Sequence, residues 1–257
     1  PVMYAKTFFD GMKAEGQENI INLLRCAWAG SQKYGALVWS GDIKSSFPSM
    51  KNQVAAGLNM GIAGIPWWTT DIGGFFGANI NDPEFHELLV RWFEYGCFCP
   101  VMRLHGYRWP LQPQYGTTGG ATCVSGAPNE VWSYTDQVCE ILSDYLRLRE
   151  RMLPYITELM EEAHEKGTPV MRPLFYDFPE DKESWNVETE YMFGPKVLVK
   201  PITDADARET DVYLPGGASW TNAWTGETFE GGQKVHVAAP IEQIPLFTRD
   251  GYKLPMK

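Results

Sequence analysis

Two stretches decide the fold: Trp39-Ser40-Gly41-Asp42 and Ile65-Pro66-Trp67-Trp68-Thr69-Thr70-Asp71-Ile72-Gly73-Gly74-Phe75. In each, an apolar run ends in an aspartate beside a glycine turn. A buried parallel strand delivers a carboxylate to the open end of a sheet or barrel in this way. Residues 48–60 predict a helix between them, because the segment begins with a proline, repeats apolar residues on one face and stops before Gly61. The pattern predicts strand, helix, strand, with an acid at the same end of both strands.

The composition limits the classes of protein and partner. The chain has 257 residues, of which 44% are hydrophobic and 21% charged, enough to bury a sizeable core. A formal net charge of -10 argues against nucleic acid as a partner, because a phosphate backbone needs a Lys/Arg face. No stretch reaches the eighteen or so apolar residues of a membrane span, so no membrane partner is predicted. The sequence does not indicate a cellular compartment.

Cysteines and aromatic residues add two further observations. Five cysteines, an odd number without metal-finger spacing, make a disulfide scaffold or a zinc site improbable. The ten Trp, twelve Tyr and thirteen Phe are mostly expected in the core. Aromatic rings beside acids and glycine turns also stack on the apolar faces of sugars, which makes a carbohydrate ligand conceivable.

Four apolar runs in the first part of the chain end in a polar side chain. The runs are residues 19–24, 36–39, 62–70 and 100–104, and the side chains behind them are Arg25, Asp42, Asp71 and His105. In a (β/α) barrel the carboxyl ends of all strands open on one face, so these four groups are expected to converge there. Two acids, a guanidinium and an imidazole in an aromatic-walled cup suit a polyhydroxylated ligand.

Each of these residues also has a structural interpretation that the sequence leaves open. Asp42 could cap the next helix, although it lies several residues ahead of Pro48. Asp71 could form an Asx turn with the glycines after it, and His105 could be a structural histidine. Arg25 could be a structural partner of either acid.

The rest of the chain divides into a mixed and an all-β part. Residues 1–18 and 129–167 are expected to be helical, and Asp82-Pro83-Glu84 predicts the start of another helix. After Gly167, short branched runs alternate with Gly, Pro and Asp, which is typical of a β-sandwich. The expected domains are 1–167, part of a (β/α)8 barrel, and 168–257, an all-β sandwich, which makes the fold class α/β.

Six motifs in order resemble those of family-31 glycoside hydrolases, the α-glucosidase and α-xylosidase family. They cover nearly the whole chain and comprise residues 25–34, 39–42, 64–75, 103–106, 153–155 and 172–175. The resemblance implies the C-terminal half of a (β/α)8 barrel, strands five to eight, followed by a β-sandwich domain. It also implies hydrolysis with retention of anomeric configuration.

The same resemblance implies roles for six residues. Asp42 matches the general acid/base, which gives it the one catalytic role carried by this sequence. Phe75 matches an aromatic wall, and the residues that match those holding the sugar undergoing cleavage are Arg25, Trp39, Asp71 and His105. The mechanism needs no metal, and no cofactor is predicted.

One departure from the family pattern concerns the nucleophile. In the family this Asp lies on the strand before the one ending at Arg25, and the sequence starts after that point. Because a retaining glycosidase needs two carboxylates, the chain alone is expected to be inactive. It is expected to associate with a missing N-terminal half of the barrel or with itself. A non-catalytic carbohydrate-binding protein, a transglycosidase and a lyase remain alternatives.

The substrate is expected to be an oligosaccharide with a terminal α-linked xylose or glucose. The residues Ser31 to Tyr34 and Trp67 to Asp71 look more like the α-xylosidase branch than the α-glucosidases. α-Xylosidase activity is therefore slightly preferred.

Overall fold

The computed structural model describes residues 1–256, which begin with three parallel strands and their helices. Helix α1 (Val2–Ala14) precedes β1 (Asn22–Leu24), and β2 (Ala36–Trp39) is followed by α2 (Phe47–Ile62) and β3 (Trp68–Thr69). The strands lie in the order β1-β2-β3, with Leu23 opposite Leu37 and Trp39 opposite Thr69. The predicted strand, helix, strand arrangement is confirmed.

The local start and stop signals of α2 explain its position. The Ser46 side chain accepts a hydrogen bond from the backbone N–H of Ser49, and Pro48 lies in the first turn, where it needs no N–H partner. The helix buries Met50, Val54 and Leu58 against the parallel strands. These apolar residues share one face, as the sequence predicts.

The prediction that residues 100–106 form a fourth strand is wrong, because the structure has no regular strand there. This segment is extended and lies outside any assigned strand. Two backbone bonds join it to the end of β3: Val101 N–H donates to Trp68 O at 3.1 Å, and Ile72 N–H donates to Arg103 O at 3.3 Å. It therefore lies beside β3, where a fourth strand would lie, but without a continuous ladder.

Three long helices follow the short strand β4 (Ala78–Asn79). Helix α3 (Pro83–Cys97) begins at Asp82, whose carboxylate accepts from Glu84 N–H at 3.0 Å, as predicted. After β5 (Arg108–Trp109), which pairs with β4, come α4 (Asp136–Arg151) and α5 (Leu153–Lys166). The stretch 129–167 is thus two helices, because Pro154 lies in the first turn of a new one. A 3₁₀ turn, Val131–Ser133, comes before them.

The C-terminal part consists of antiparallel sheets. A short helix α6 (Leu174–Asp177) follows the first of its strands. The strands are β6 (Met171–Pro173), β7 (Tyr191–Phe193), β8 (Val197–Val199), β9 (Glu209–Leu214), β10 (Ser219–Asn222), β11 (Thr228–Glu230), β12 (Gln233–Ala238) and β13 (Leu246–Arg249). Six of them form one sheet in the order β11-β10-β13-β8-β7-β6, while β9 and β12 pair separately.

Alternate residues of the six-stranded sheet face two different layers. Met192, Leu198 and Phe247 pack in one cluster with Val212 and other side chains of the β9–β12 pair. Their chain neighbours, including Tyr191, Val197 and Leu246, join the core formed with α3, α4 and α5. Because successive side chains of a strand point to opposite faces, this sheet is covered on both sides. It is the wall shared by the barrel part and the sandwich.

No helix among residues 1–256 is both long enough and apolar enough to cross a lipid bilayer.

Candidate active site

Asp42 lies just beyond the carboxyl end of β2 and pairs with Arg25, which follows β1. The Arg25 Nη2 donates to Asp42 Oδ2 at 2.5 Å, while the same guanidinium lies 5.6 Å from the centre of the Trp39 ring. Both charged side chains face solvent, with 62% of Arg25 and 43% of Asp42 exposed. Three of the predicted residues therefore form one contact group at the ends of neighbouring strands.

Asp71 lies two residues beyond β3 and is completely buried. Arg103 donates from Nη2 to its Oδ1. Burial raises the pKa of the Asp71 carboxyl above its ordinary value, and the positive charges of Arg103 and His105 oppose that rise. The carboxylate of Asp42 adds to it, as expected for a like charge nearby. Asp71 therefore lies within the electrostatic reach of both Asp42 and His105.

The rings of His105 and Phe75 form an aromatic pair. Phe75 lies in the loop after β3, and His105 lies near the end of the extended segment 100–106. Their ring centres are 5.6 Å apart, and the ring planes are inclined by 31°. His105 is exposed, and Phe75 is half-buried. The imidazole therefore has an open side beside an aromatic surface, which suits contact with a sugar ring.

Backbone hydrogen bonds join the three loops that carry these residues. Phe75 N–H donates to Ile43 O at 2.7 Å, which links the loop after β3 to the loop that carries Asp42. Tyr107 N–H donates to Phe75 O at 2.6 Å, which adds the segment after His105. The structure thus brings the six predicted residues to one rim at the carboxyl ends of the parallel strands, the geometry that the barrel interpretation required.

Sequence reasoning did not identify two arginines beside this rim. Arg103 holds Asp71; it belongs to the motif 103–106, but sequence reasoning assigned it no role of its own. Arg108 is fully buried and donates to the carbonyls of Ile72 and Gly74, at 3.1 and 2.7 Å. Its partners are more than thirty residues away in the chain, so local patterns could not reveal it.

Two cavities of about 640 and 660 Å³ lie away from the rim. One of about 640 Å³ lies along α4 and is lined by residues such as Tyr145, Trp224 and Glu242. It contains none of the six rim residues, which form an open cup. Within residues 1–256, no group of three or more His, Cys, Asp or Glu side chains is placed to hold a metal ion.

Two family models match the chain. The glycosyl hydrolases family 31 TIM-barrel domain matches residues 1–159, and the glycosyl hydrolase family 31 C-terminal domain matches residues 167–254. Together they cover nearly the whole sequence.

Relatives and solved structures agree with these matches. An alpha-xylosidase of Saccharolobus solfataricus is 37% identical over 256 residues, which are 100% of this chain and 33% of that protein. The neutral alpha-glucosidase C of Mus musculus is 34% identical over 95% of this chain and 25% of its own length. The crystal structure of a GH31 alpha-xylosidase from a soil metagenome, complexed with xylose, superposes with a TM-score of 0.93 and 54% identity. It matches 98% of this chain and 37% of that one.

These shares show that the chain spans about a quarter to a third of the length of these two curated relatives. Its two matched regions stand in the order barrel, then C-terminal domain, and its structure superposes on an α-xylosidase of the same family. The chain belongs to glycosyl hydrolase family 31.

Proposed function

We propose that the protein to which this chain contributes is a retaining α-glycosidase that releases terminal α-linked xylose, or glucose, from oligosaccharides. The observation that carries the proposal is the rim on which Asp42, Arg25, Asp71 and His105 meet although the chain separates them by up to eighty positions. The family match supports the same reaction class.

In this proposal Asp42 is the general acid/base. It protonates the leaving oxygen in the first step and takes a proton from water in the second. Its partial exposure leaves a carboxyl oxygen accessible to a substrate, and Arg25 holds its orientation. Asp42 is therefore the catalytic residue of this chain.

The other rim residues bind the sugar that is cleaved. His105 offers a hydrogen-bond partner to hydroxyl groups, while Trp39 and Phe75 offer ring faces to the apolar side of the sugar. Asp71 is fully buried, but its Oδ2 has no hydrogen-bond partner within residues 1–256, and we propose that this oxygen accepts from a sugar hydroxyl that enters the rim beside it. Hydrogen bonds to hydroxyls can strengthen as the ring flattens towards the oxocarbenium-like transition state.

Asp71 does not serve as the second carboxylate in this scheme. It is buried and held by Arg103, and its proposed partner is a sugar hydroxyl. A retaining mechanism places the two carboxyl groups about 5–5.5 Å apart across the anomeric carbon. We therefore expect no turnover from residues 1–257 alone, and the nucleophile is expected from a preceding strand of the whole protein.

The preference for xylose rests on the relatives. The soil-metagenome α-xylosidase is 54% identical, and the Saccharolobus enzyme is 37% identical, whereas the mouse α-glucosidase is 34% identical. The glucosidase follows closely, so terminal glucose stays the second substrate of the proposal.

The decisive experiment compares hydrolysis of 4-nitrophenyl α-xyloside and α-glucoside by the intact protein. Preferred cleavage of the xyloside, with release of α-xylose seen by NMR, supports the proposal. Transfer to an added acceptor sugar, or an unsaturated product, would indicate a transglycosidase or a lyase. Binding of xylose without cleavage would support the carbohydrate-binding alternative.

The open edge of the parallel sheet is proposed to pair with further chain. β1 is an edge strand, and Ile21, Leu23 and Trp28 beside it are exposed large apolar side chains. Such an edge is a template for pairing. We expect residues 1–257 alone to self-associate, and a stable monomer in light scattering would contradict this.

The division between the two units is proposed to lie at Gly167. This glycine ends α5 in a left-handed conformation with φ +70, and the antiparallel strands follow it. Limited proteolysis of the intact protein at low protease concentration is expected to favour a cut near residue 167 over cuts inside α5.

A further inference from the structure

A buried guanidinium lies behind the loop that joins Asp71 to Phe75. Arg108 is fully buried, and its Nη1 donates to Gly74 O at 2.7 Å and to Phe75 O at 3.4 Å. Its Nη2 donates to Ile72 O at 3.1 Å. Three carbonyls of one short loop therefore converge on a single rigid fork.

The sequence around the fork leaves room for it. A Cβ added to Gly106 would lie 2.4 Å from atoms of the Arg108 guanidinium, and one added to Gly73 would lie 3.0 Å from Nη2. Gly73 also has φ +85, which suits glycine. The glycines of the loop thus serve two purposes: they make the turn after Asp71, and they admit the arginine.

Other side chains hold Arg108 from behind. Its Nε donates to Asn129 Oδ1 at 3.1 Å, and the hydroxyl of Tyr134 donates to the same oxygen at 2.5 Å. The guanidinium also lies 4.9 Å from the centre of the Phe85 ring. Residues just before α4 and in the first turn of α3 therefore hold the Arg108 guanidinium in place, and the guanidinium in turn holds the loop 72–75.

The two ends of the clamped loop carry two of the proposed sugar contacts. Asp71 immediately precedes the first clamped carbonyl, and Phe75 provides the last. Phe75 in turn packs against His105 and accepts a hydrogen bond from Tyr107 N–H. A movement of the loop would change the positions of the carboxyl, the aromatic wall and the imidazole together.

We infer that Arg108 is a positioning residue for saccharide binding: its clamp on Ile72, Gly74 and Phe75 sets the spacing between Asp71 and the Phe75–His105 pair. The inference rests on the proposed function. It differs from a purely structural role, because loss of the clamp is expected to impair sugar binding in a protein that still folds.

The chain offers a matched control in Arg91. This arginine is also fully buried, and it donates to the carbonyls of Ala207, Ala239 and Pro240, between α3 and the C-terminal part. Lysine in either place keeps the charge but loses the fork. The two substitutions should therefore cost comparable stability, while only Arg108→Lys disturbs the rim.

The experiment measures kcat, KM and the pH profile of kcat/KM for both variants in the intact protein, at a temperature where circular dichroism shows them folded. For Arg108→Lys we expect KM to rise about tenfold, the loss of affinity that follows from weakening roughly one hydrogen bond to the sugar. kcat should fall less than KM rises, and the pH profile should keep its shape, because Arg25, and not the Arg108 clamp, holds the Asp42 carboxylate. Arg91→Lys should keep the wild-type constants.

Three outcomes are informative. Wild-type KM in folded Arg108→Lys, or an equal rise in both variants, overturns the inference without touching the proposed function. If wild type cleaves no α-glycoside, the proposed function fails, and xylose titration followed by NMR tests the clamp through affinity alone. If Arg108→Lys does not fold, Asn129→Ala takes its place, with a smaller rise in KM expected and an unchanged KM counting against the inference.

Discussion

The position of the Asp42 carboxylate is fixed by its neighbours Arg25 and Trp39. The Arg25 guanidinium donates to its carboxylate and lies over the Trp39 ring, so the three side chains form one unit at the ends of β1 and β2. The proposed role of Asp42 as proton donor needs a fixed orientation to the leaving oxygen, and these two contacts restrict that orientation. The acid role can be tested separately from binding.

In the intact protein, Asp42→Asn should lower kcat/KM for an α-linked disaccharide by about 100- to 10,000-fold, the usual contribution of general acid–base catalysis. Glycosides with good leaving groups need little protonation, so their cleavage in the first step should be largely spared. Burst kinetics with an aryl glycoside measure that step. Asp10→Asn, at an exposed aspartate on α1, is the control; an equal loss on both substrates would remove the acid role.

At the level of residues, the sequence was informative where a polar group follows an apolar run. Asp42, Asp71 and His105 were predicted to converge because strand ends share one face, and they lie on one rim. Arg103 and Arg108 were not assigned roles, because the Asp71 carboxylate and the loop carbonyls that they hold are more than thirty residues away in the chain. Single-sequence patterns report local periodicity and do not report such pairings.

At the level of elements, the glycines after Asp71 determine how closely two loops approach. Gly74 has φ +75, and a Cβ there would lie 2.7 Å from the Ser45 N and Cα. Gly77 has a similar φ of +86, but its nearest neighbour would be Lys44 Cγ at 3.7 Å. Alanine substitutions at Gly74 and Gly77 therefore distinguish two effects. Both introduce strain from a positive φ, but only the one at Gly74 also introduces a clash with backbone.

Gly74→Ala should therefore destabilise the protein more than Gly77→Ala. Both pay about 1–2 kcal/mol for a left-handed alanine, while only Gly74→Ala must also displace the Ser45 backbone. Urea denaturation of the two variants measures the difference. If both variants lost the same free energy of unfolding, the loop after Asp71 would be able to move away from Ser45 at no cost, which would contradict the prediction.

Elements with strong boundary signals were predicted well, and others were not. Helix α3 begins at Pro83 after the Asp82 cap, and α2 has Pro48 in its first turn. Residues 100–106 read as a strand because they are apolar, yet only isolated backbone bonds join them to their neighbours. Among the strands of the predicted all-β part, β10 has no branched apolar run of its own, because Ser219–Asn222 combines polar residues with a single Trp; pairing with β11 and β13 makes it a strand.

At the level of the whole molecule, a buried polar cluster joins the helices to the C-terminal part. Glu94 is fully buried and accepts from Arg91 Nη1 at 3.1 Å and from the Tyr145 hydroxyl at 3.0 Å. The same hydroxyl accepts from Ile244 N–H at 3.0 Å. Burial raises the pKa of Glu94 to about 8, although Arg91 opposes the rise.

Because the pKa of Glu94 is higher in the folded than in the unfolded protein, the free energy of unfolding depends on pH. The folded protein keeps the Glu94 proton up to about pH 8, whereas the unfolded chain releases it near 4.5. Folding stability should therefore fall as pH rises between these values, by up to about 1.4 kcal/mol per pH unit. Below the window the contribution is fully present.

Glu94→Gln should flatten the dependence, because the amide has no proton to lose. Between pH 5.5 and 8.5 we expect the Tm of wild type to fall by on the order of 10 °C more than that of the variant. Differential scanning calorimetry at both pH values measures this. Glu158→Gln, at an exposed position on α5, should follow wild type; parallel curves for wild type and Glu94→Gln would contradict the prediction.

The clamp around Arg108 also bears on how this scaffold can be recombined. In (β/α) barrels, variation of the loops at the carboxyl ends of the strands changes the chemistry of the site. Here residues 72–75 are held by a side chain that the chain supplies more than thirty positions later. A chimera that imports only the first segment would pair foreign carbonyls with the resident guanidinium, so residues 72–75 and 106–108 are the smallest unit that can be transplanted together.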